Sequence, residues 1–355
     1  MPVLGFAPPI GISTPRGWFD VQNYGAYGDN SHDDTAAIQA AITAIKATAS
    51  ANGSVGGKTL YFPPGFYKTT SRLDLTLING LRILGGSGRG GWDRFGVGGP
   101  PTAIYYQGGG SGVAVDLGGS QECIWDGVSI WSNIASFSGT MMNFNHTVNG
   151  DVYGNRLQNM QFNCLLGNVT QLRLAGSIEF SADNVSFSNA GATGTQVQMV
   201  HPAHVSQWSN ANSFRSCSFI GTKQYSVLNP GPQTTFVDCT WEHSGPVAYN
   251  AVGNEEASTA TFTGCGFWDS NGTSWITSAV QTRAFAFVGC KMTSDGTNPV
   301  FSLANHQGLF LGGCRFDTTG GTPNVFNPAY TISNASMLGC EVRSPVVDNH
   351  ASVFV

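Results

Sequence analysis

Charge is the scarcest commodity in this chain. Only 10% of its 355 residues are Asp, Glu, Lys or Arg, and the formal net charge is −5. The lysines are Lys46, Lys58, Lys68, Lys223 and Lys291, and they form no basic stripe. Nucleic acid is therefore an unexpected partner, because binding its phosphates needs clustered cations. No apolar run approaches the length of a membrane span, so membrane insertion is not expected. No Cys-x-x-Cys or Cys/His spacing suggests zinc, and neither a metal nor another cofactor is expected. The opening Met1-Pro2-Val3-Leu4-Gly5 lacks the basic start and apolar stretch of a secretory leader. The expectation is a protein that reaches the outside by another route, release by lysis among them, or one whose leader was cut away.

What the chain does have is glycine, 47 residues of it, and a repeat. Nine segments share an apolar residue, a bend residue two places on, a small apolar residue at once, and a larger apolar residue two beyond. Clear copies are Phe236-Val237-Asp238-Cys239-Thr240-Trp241, Phe262-Thr263-Gly264-Cys265-Gly266-Phe267 and Phe287-Val288-Gly289-Cys290-Lys291-Met292. The small residues are Val128, Met160, Val185, Cys217, Cys239, Cys265, Cys290, Cys314 and Cys340, spaced 32, 25, 32, 22, 26, 25, 24 and 26 apart. A period in the twenties signals a stacked solenoid. The residues before them are Gly127, Asn159, Asn184, Ser216, Asp238, Gly264, Gly289, Gly313 and Gly339. Eight of these nine are Gly, Asn or Asp, the types that enter left-handed backbone at low cost. Each copy thus reads as strand, bend, strand. Alternation along a strand puts the small residue and the one two places on together on an inward face. The predicted fold is all-β: a single-stranded right-handed parallel β-helix with an N-terminal capping α-helix. The eight intervals span roughly 38 Å at ~4.8 Å per coil. Cys217 to Cys340 occupy one repeat position, which predicts an internal column of unbridged thiols.

Residues 1–17 carry Pro2, Pro8, Pro9 and Pro15 and read as an extended arm or a disordered terminus. Residues 18–355 read as the β-helix domain, with an N-terminal cap over 18–57 and coils over about 58–345. In the cap, Asp33 or Asp34 is expected to cap a helix whose apolar face is Ile38, Ala41, Ile42 and Ile45. Such a helix would plug the open end of the coil stack. Val346, Val347, Val353 and Phe354 are expected to cover the other end.

The stretch Phe19-Asp20-Val21-Gln22-Asn23-Tyr24-Gly25-Ala26-Tyr27-Gly28-Asp29, followed by Asp33-Asp34-Thr35-Ala36-Ala37-Ile38-Gln39-Ala40-Ala41-Ile42, resembles the N-terminal signature of the pectate-lyase-like superfamily. The branch is the one shared by phage tailspikes and several glycan-degrading enzymes. Lys58-Thr59-Leu60-Tyr61-Phe62-Pro63-Pro64-Gly65-Phe66-Tyr67 and Leu81-Arg82-Ile83-Leu84-Gly85-Gly86 extend the likeness to its first coil. The Asn-Thr-Asp, Asp-Asp, Gly-His-Gly and Arg-Ile-Lys signatures of the polygalacturonase branch are missing, which speaks against pectin hydrolysis by that mechanism. The resemblance implies a phage tail component, either a short tailspike or a receptor-binding minor tail protein. It would sit in the virion, face host-surface polysaccharide as a homotrimer, and meet other tail proteins through residues 1–17. The alternatives are a secreted polysaccharide hydrolase or lyase and a purely structural virion protein.

Sugar hydrolysis needs two carboxylates about 5–9.5 Å apart. Glu242, three residues after Cys239, and Asp269, four after Cys265, are the candidate catalytic pair. Trp268, His243, Trp208 and Trp92 are the candidate sugar contacts, the tryptophans as stacking faces. Ordinary surface acids at strand ends are the competing reading of the pair, and a solvated loop is that of Trp92. His201 and His204 lie three apart without a third ligand nearby in sequence, so no metal is assigned to them.

Overall fold

A computed structural model describes residues 16–86, 102–201, 209–221, 224–249, 259–268, 274–279, 283–294, 298–304, 306–318, 325–327, 329, 332–344 and 347–351. Among these the chain is a right-handed parallel β-helix with one α-helix. Two long sheets run the length of the rod. One has twenty-four strands and is creased along its middle; the other has nine, from Leu73–Asp74 to Phe301–Leu303.

The crease is the bend column read from the sequence. All nine residues have positive φ, from Ser216 at 51° to Gly127 at 74°. The small residue after each is buried, at most 7% exposed for Cys340. A second corner follows one strand later, where Asn189, Gly221 and His243 have φ of 49°, 76° and 46°. Rungs pair in strict parallel register across coils of unequal length, as in Phe236↔Phe262 and Phe262↔Phe287. The ladder therefore keeps its register although the coils differ in length.

Inward positions stack like on like. Phe162, Phe187, Phe219, Trp241 and Phe267 form one file with ring centroids 5.2, 5.1, 4.7 and 4.4 Å apart. Phe214, Phe236, Phe262 and Phe287 form a second at 5.1, 4.8 and 4.5 Å. Parallel strands set this near-rung spacing, and each buried ring contributes roughly 1.5–3 kcal/mol through removal from water. Between the files runs the thiol column. Its sulfurs are unbridged, and each donates to a carbonyl of the coil below: Cys239 to Phe214 (3.4 Å), Cys265 to Phe236 (3.5 Å), Cys290 to Phe262 (3.4 Å), Cys314 to Phe287 (3.3 Å). Burial raises the Cys239 thiol well above its ordinary pKa.

At the N-terminal end, helix Thr35–Lys46 buries Ile38, Ala41, Ile42 and Ile45 completely. The two aspartates before it divide the work differently from the expected single cap. Asp33 Oδ1 accepts from Thr35 N at 3.0 Å, while Asp34, at the N-cap position, makes no side-chain cap. Asp34 instead takes Tyr27 N (2.6 Å) and Gly28 N (3.1 Å), holding the glycine turn over the first coil. At the other end, Val347–Ala351 returns antiparallel onto Glu341–Ser344. This covers the last strand edge with backbone. Val346, Val353 and Phe354 lie outside the described residues, as does the arm up to residue 15.

Candidate functional site

Outward side chains of a β-helix form files just as inward ones do, because register carries each position to the next rung. The strand after the first bend column carries one such file. Its members pair in sequence as Lys68, Tyr105, Trp131, Asn163, Ser188, Ile220 and Glu242, and Glu242 then pairs with Trp268. Further along, Thr293 pairs with Asp317 and Asp317 with Arg343. From Val128 onward the file occupies one place in the repeat, three residues after the small residue.

Glu242 ends strand Thr240–Glu242, half-buried, and His243 follows at the second corner with its side chain exposed. The corner gives His243 a structural duty as well: its N–H donates to the Trp268 carbonyl at 3.3 Å. Trp268 is 38% exposed beside Glu242. Its indole folds back over Gly266, where a Cβ would come within 2.5 Å of Nε1, so glycine is what lets the ring lie on the strand. Lys291 Nζ stands 4.2 Å from the ring centroid, a cation–π contact. Lys291 also meets Asp317 Oδ2 at 3.5 Å, and Arg315 Nε donates to Asp317 Oδ1 at 2.8 Å. One face of Trp268 is thus already occupied by a cation. A sugar stacking on that face has to displace Lys291.

Asp269, the proposed partner of Glu242, lies outside the described residues, as do Trp208 and Trp92. Asp317 does not replace Asp269. It sits three rungs from Glu242, roughly 14 Å at ~4.8 Å per rung, beyond the separation of a glycosidase pair. Among the described residues no cluster of three His, Cys, Asp or Glu is placed to hold a metal. None of their helices is long and apolar enough to cross a membrane.

Four rungs from Glu242 towards the N-terminus, the same file opens into a cleft of about 190 Å³ lined by Asn30, Phe66, Tyr105, Trp131, Ser132, Asn133, Asn163 and Leu165. Phe66 reaches Trp131 across the small Ala103, their rings edge to face with centroids 6.1 Å apart. Burial raises the Tyr105 phenol, which therefore keeps its proton and can both donate and accept. Leu165 is 52% exposed at the rim. Asn163, 1% exposed, accepts at Oδ1 from Asn189 Nδ2 at 3.4 Å, while its own Nδ2 has no hydrogen-bond partner.

None of these cleft residues was singled out in the sequence, although the signal was there. Trp131 follows Val128, and Asn163 follows Met160, by the same three places that separate Glu242 from Cys239.

Known proteins share both the segment and the architecture. Residues 18–91 match the family described as rhamnogalacturonase A/epimerase, pectate lyase-like. This supports the superfamily resemblance read from the same stretch. The mannuronan C5-epimerase AlgE3 of Azotobacter vinelandii is 40% identical over 72 residues, 19% of this chain but only 4% of that protein. The chain therefore spans a small fraction of this curated relative. Over the whole rod, the A-module of the Azotobacter vinelandii mannuronan C-5 epimerase AlgE6 superposes with a TM-score of 0.67 at 14% identity, covering 92% of this chain and 87% of the module. The tailspike gp49 of Acinetobacter baumannii bacteriophage Fri1, a capsular polysaccharide depolymerase, superposes at 0.50 and 11% identity, covering 92% and 60%. The pectate-lyase-like right-handed β-helix is thus the fold of this chain, tailspikes are among its structural neighbours, and identities this low speak to fold alone.

Proposed function

We propose that this protein is a glycan-binding phage tail component, a short tailspike or receptor-binding minor tail protein, that lays host-surface polysaccharide along the outward file from Tyr105 to Trp268. The observation that carries the reading is the file itself. One straight outward row joins an aromatic and amide-lined cleft to a carboxylate and a second aromatic, about 24 Å away at ~4.8 Å per rung. Extended polymers suit such a row, since successive sugar units meet equivalent positions on successive rungs. The match of residues 18–91 and the tailspike neighbour support the reading. Homotrimeric assembly and attachment through residues 1–17 belong to the same proposal.

Binding to an array of capsular and lipopolysaccharide glycans, with sedimentation to read the oligomer, tests it. Saturable binding by a trimer is expected. Failure to bind any surface glycan would leave the structural-virion reading in its place. The second reading, a polysaccharide hydrolase or lyase, is favoured specifically by Glu242 in the file and by the 72-residue likeness to a mannuronan C5-epimerase. Incubation with bound glycans separates its forms: oligosaccharide release lost in Glu242→Gln indicates hydrolysis, and an ultraviolet-absorbing unsaturated product indicates elimination.

A further inference from the structure

We propose that the cleft between Asn30, Phe66, Tyr105, Trp131, Asn133 and Asn163 is a subsite for a single uncharged pyranose ring, selecting neutral sugars over uronates. The inference rests on the glycan-binding reading above and names the sugar class that this part of the file accepts.

Size argues for one ring. The cleft holds about 190 Å³, below the ~300–1,000 Å³ of pockets that enclose drug-sized ligands. Chemistry argues for a sugar. Phe66, Tyr105 and Trp131 supply aromatic surface for the C–H face of a pyranose, while Asn30, Asn133 and Ser132 offer donors and acceptors around its rim. Asn163 makes the strongest case. Its amide is buried, its Oδ1 is held by Asn189, and its Nδ2 is left without an acceptor. A buried unmade hydrogen bond costs roughly 1–3 kcal/mol, and a ring or hydroxyl oxygen in the cleft would supply the missing acceptor.

Charge argues against a uronate. Among the described residues, no Lys, Arg or His lines the cleft. The neighbouring cation in the file, Lys68, donates to the Ser31 carbonyl at 3.4 Å, on the side of the N-terminal cap. A carboxylate would enter an aromatic, amide-lined space without a counter-charge and lose hydration for little return. Beside the far end of the file Lys291 and Arg315 share Asp317, and Arg343 pairs with Glu341, which leaves one cation in excess, so any acidic unit of a mixed polymer is expected there rather than in the cleft.

The full chain is titrated by saturation-transfer NMR and tryptophan fluorescence with neutral pentasaccharides (cellopentaose, galactopentaose, chitopentaose) and with pentamannuronate and pentagalacturonate. At least one neutral probe is expected to bind ten-fold or more tightly than both uronates. Trp131→Ala should weaken it at least ten-fold while the chain stays folded by circular dichroism. Trp131→Phe should keep it within about three-fold, and Asn163→Leu should weaken it several-fold. Uronates binding as well as neutral probes, or neutral binding indifferent to Trp131→Ala, overturns the proposal. If binding persists in Trp131→Ala but is lost in Trp268→Ala, this subsite is wrong and the glycan-binding reading survives. If no probe binds, both fall.

Discussion

Two sets of aromatic rings run along this rod, and they answer to different rules. Inside, Phe219, Trp241 and Phe267 lie nearly parallel with centroids 4.7 and 4.4 Å apart, on rungs that repeat without interruption. Outside, Phe66, Tyr105 and Trp131 cluster near one end, with Phe66 and Trp131 edge to face across a small alanine, and the file then runs through amide, hydroxyl, isoleucine and carboxylate to the lone Trp268. The inner set is repetitive because each coil has the same void to fill. The outer set is irregular although nothing in the solenoid asks for variety there. Departure from the repeat on the outward face, which the core does not dictate, marks a surface shaped for something other than stability.

The contrast breaks most visibly if a ring is deleted from each set. Trp241→Ala should cost about 3–5 kcal/mol, the range for truncating a fully buried aromatic, measured by denaturant unfolding. Trp131→Ala should cost less, about 1–2 kcal/mol, because its half-buried ring packs on Phe66 but fills no part of the inner core. Equal losses would erase the distinction between the two sets.

Acid sharpens it next. His306 is fully buried and stacks on Phe285 at 4.6 Å, taking a ring position inside the rod. Desolvation lowers its pKa to about 4 from the ordinary 6.5. As pH falls below 6.5 the unfolded chain takes up a proton that the folded chain refuses until about 4. Stability from this site is therefore whole above pH 6.5 and drains away between 6.5 and 4, by up to roughly 3 kcal/mol at about 1.4 kcal/mol per pH unit. His306→Phe should flatten that part of the melting-temperature profile. A profile unchanged by the substitution would refute the assignment.

A further test bears on the crease that separates inward from outward. Gly289 has φ of 63° with nothing within 4 Å of a would-be Cβ, so Gly289→Val meets backbone strain and no clash. A loss of about 1–2 kcal/mol is expected. Gly289→Asn should lose less, since Asn159 and Asn184 already hold equivalent corners.

The architecture was legible because it is written once per coil. The nine bends, the buried small residues and the apolar face of the first helix all follow from local residue type at fixed offsets. The outward cleft was harder to read. Its rings come from residues 66, 105 and 131, on strands that lie one coil apart. Which outward side chains become neighbours depends on coil-to-coil register, which the variable spacings of 22 to 32 residues conceal. Asp33 and Asp34 show a finer limit. Sequence placed a cap at the helix start, but only three-dimensional proximity to Tyr27 and Gly28 reveals that Asp34 serves the preceding turn.

The thiol column gives the rod a built-in gauge. Each sulfur is tethered to the carbonyl of the coil beneath, so an alkylating reagent gains access to it only when those two coils part. Six cysteines one storey apart thus turn the fraying of a solenoid into six separate clocks, and the order in which they run, from Cys340 at the margin inward, would chart where the stack opens first.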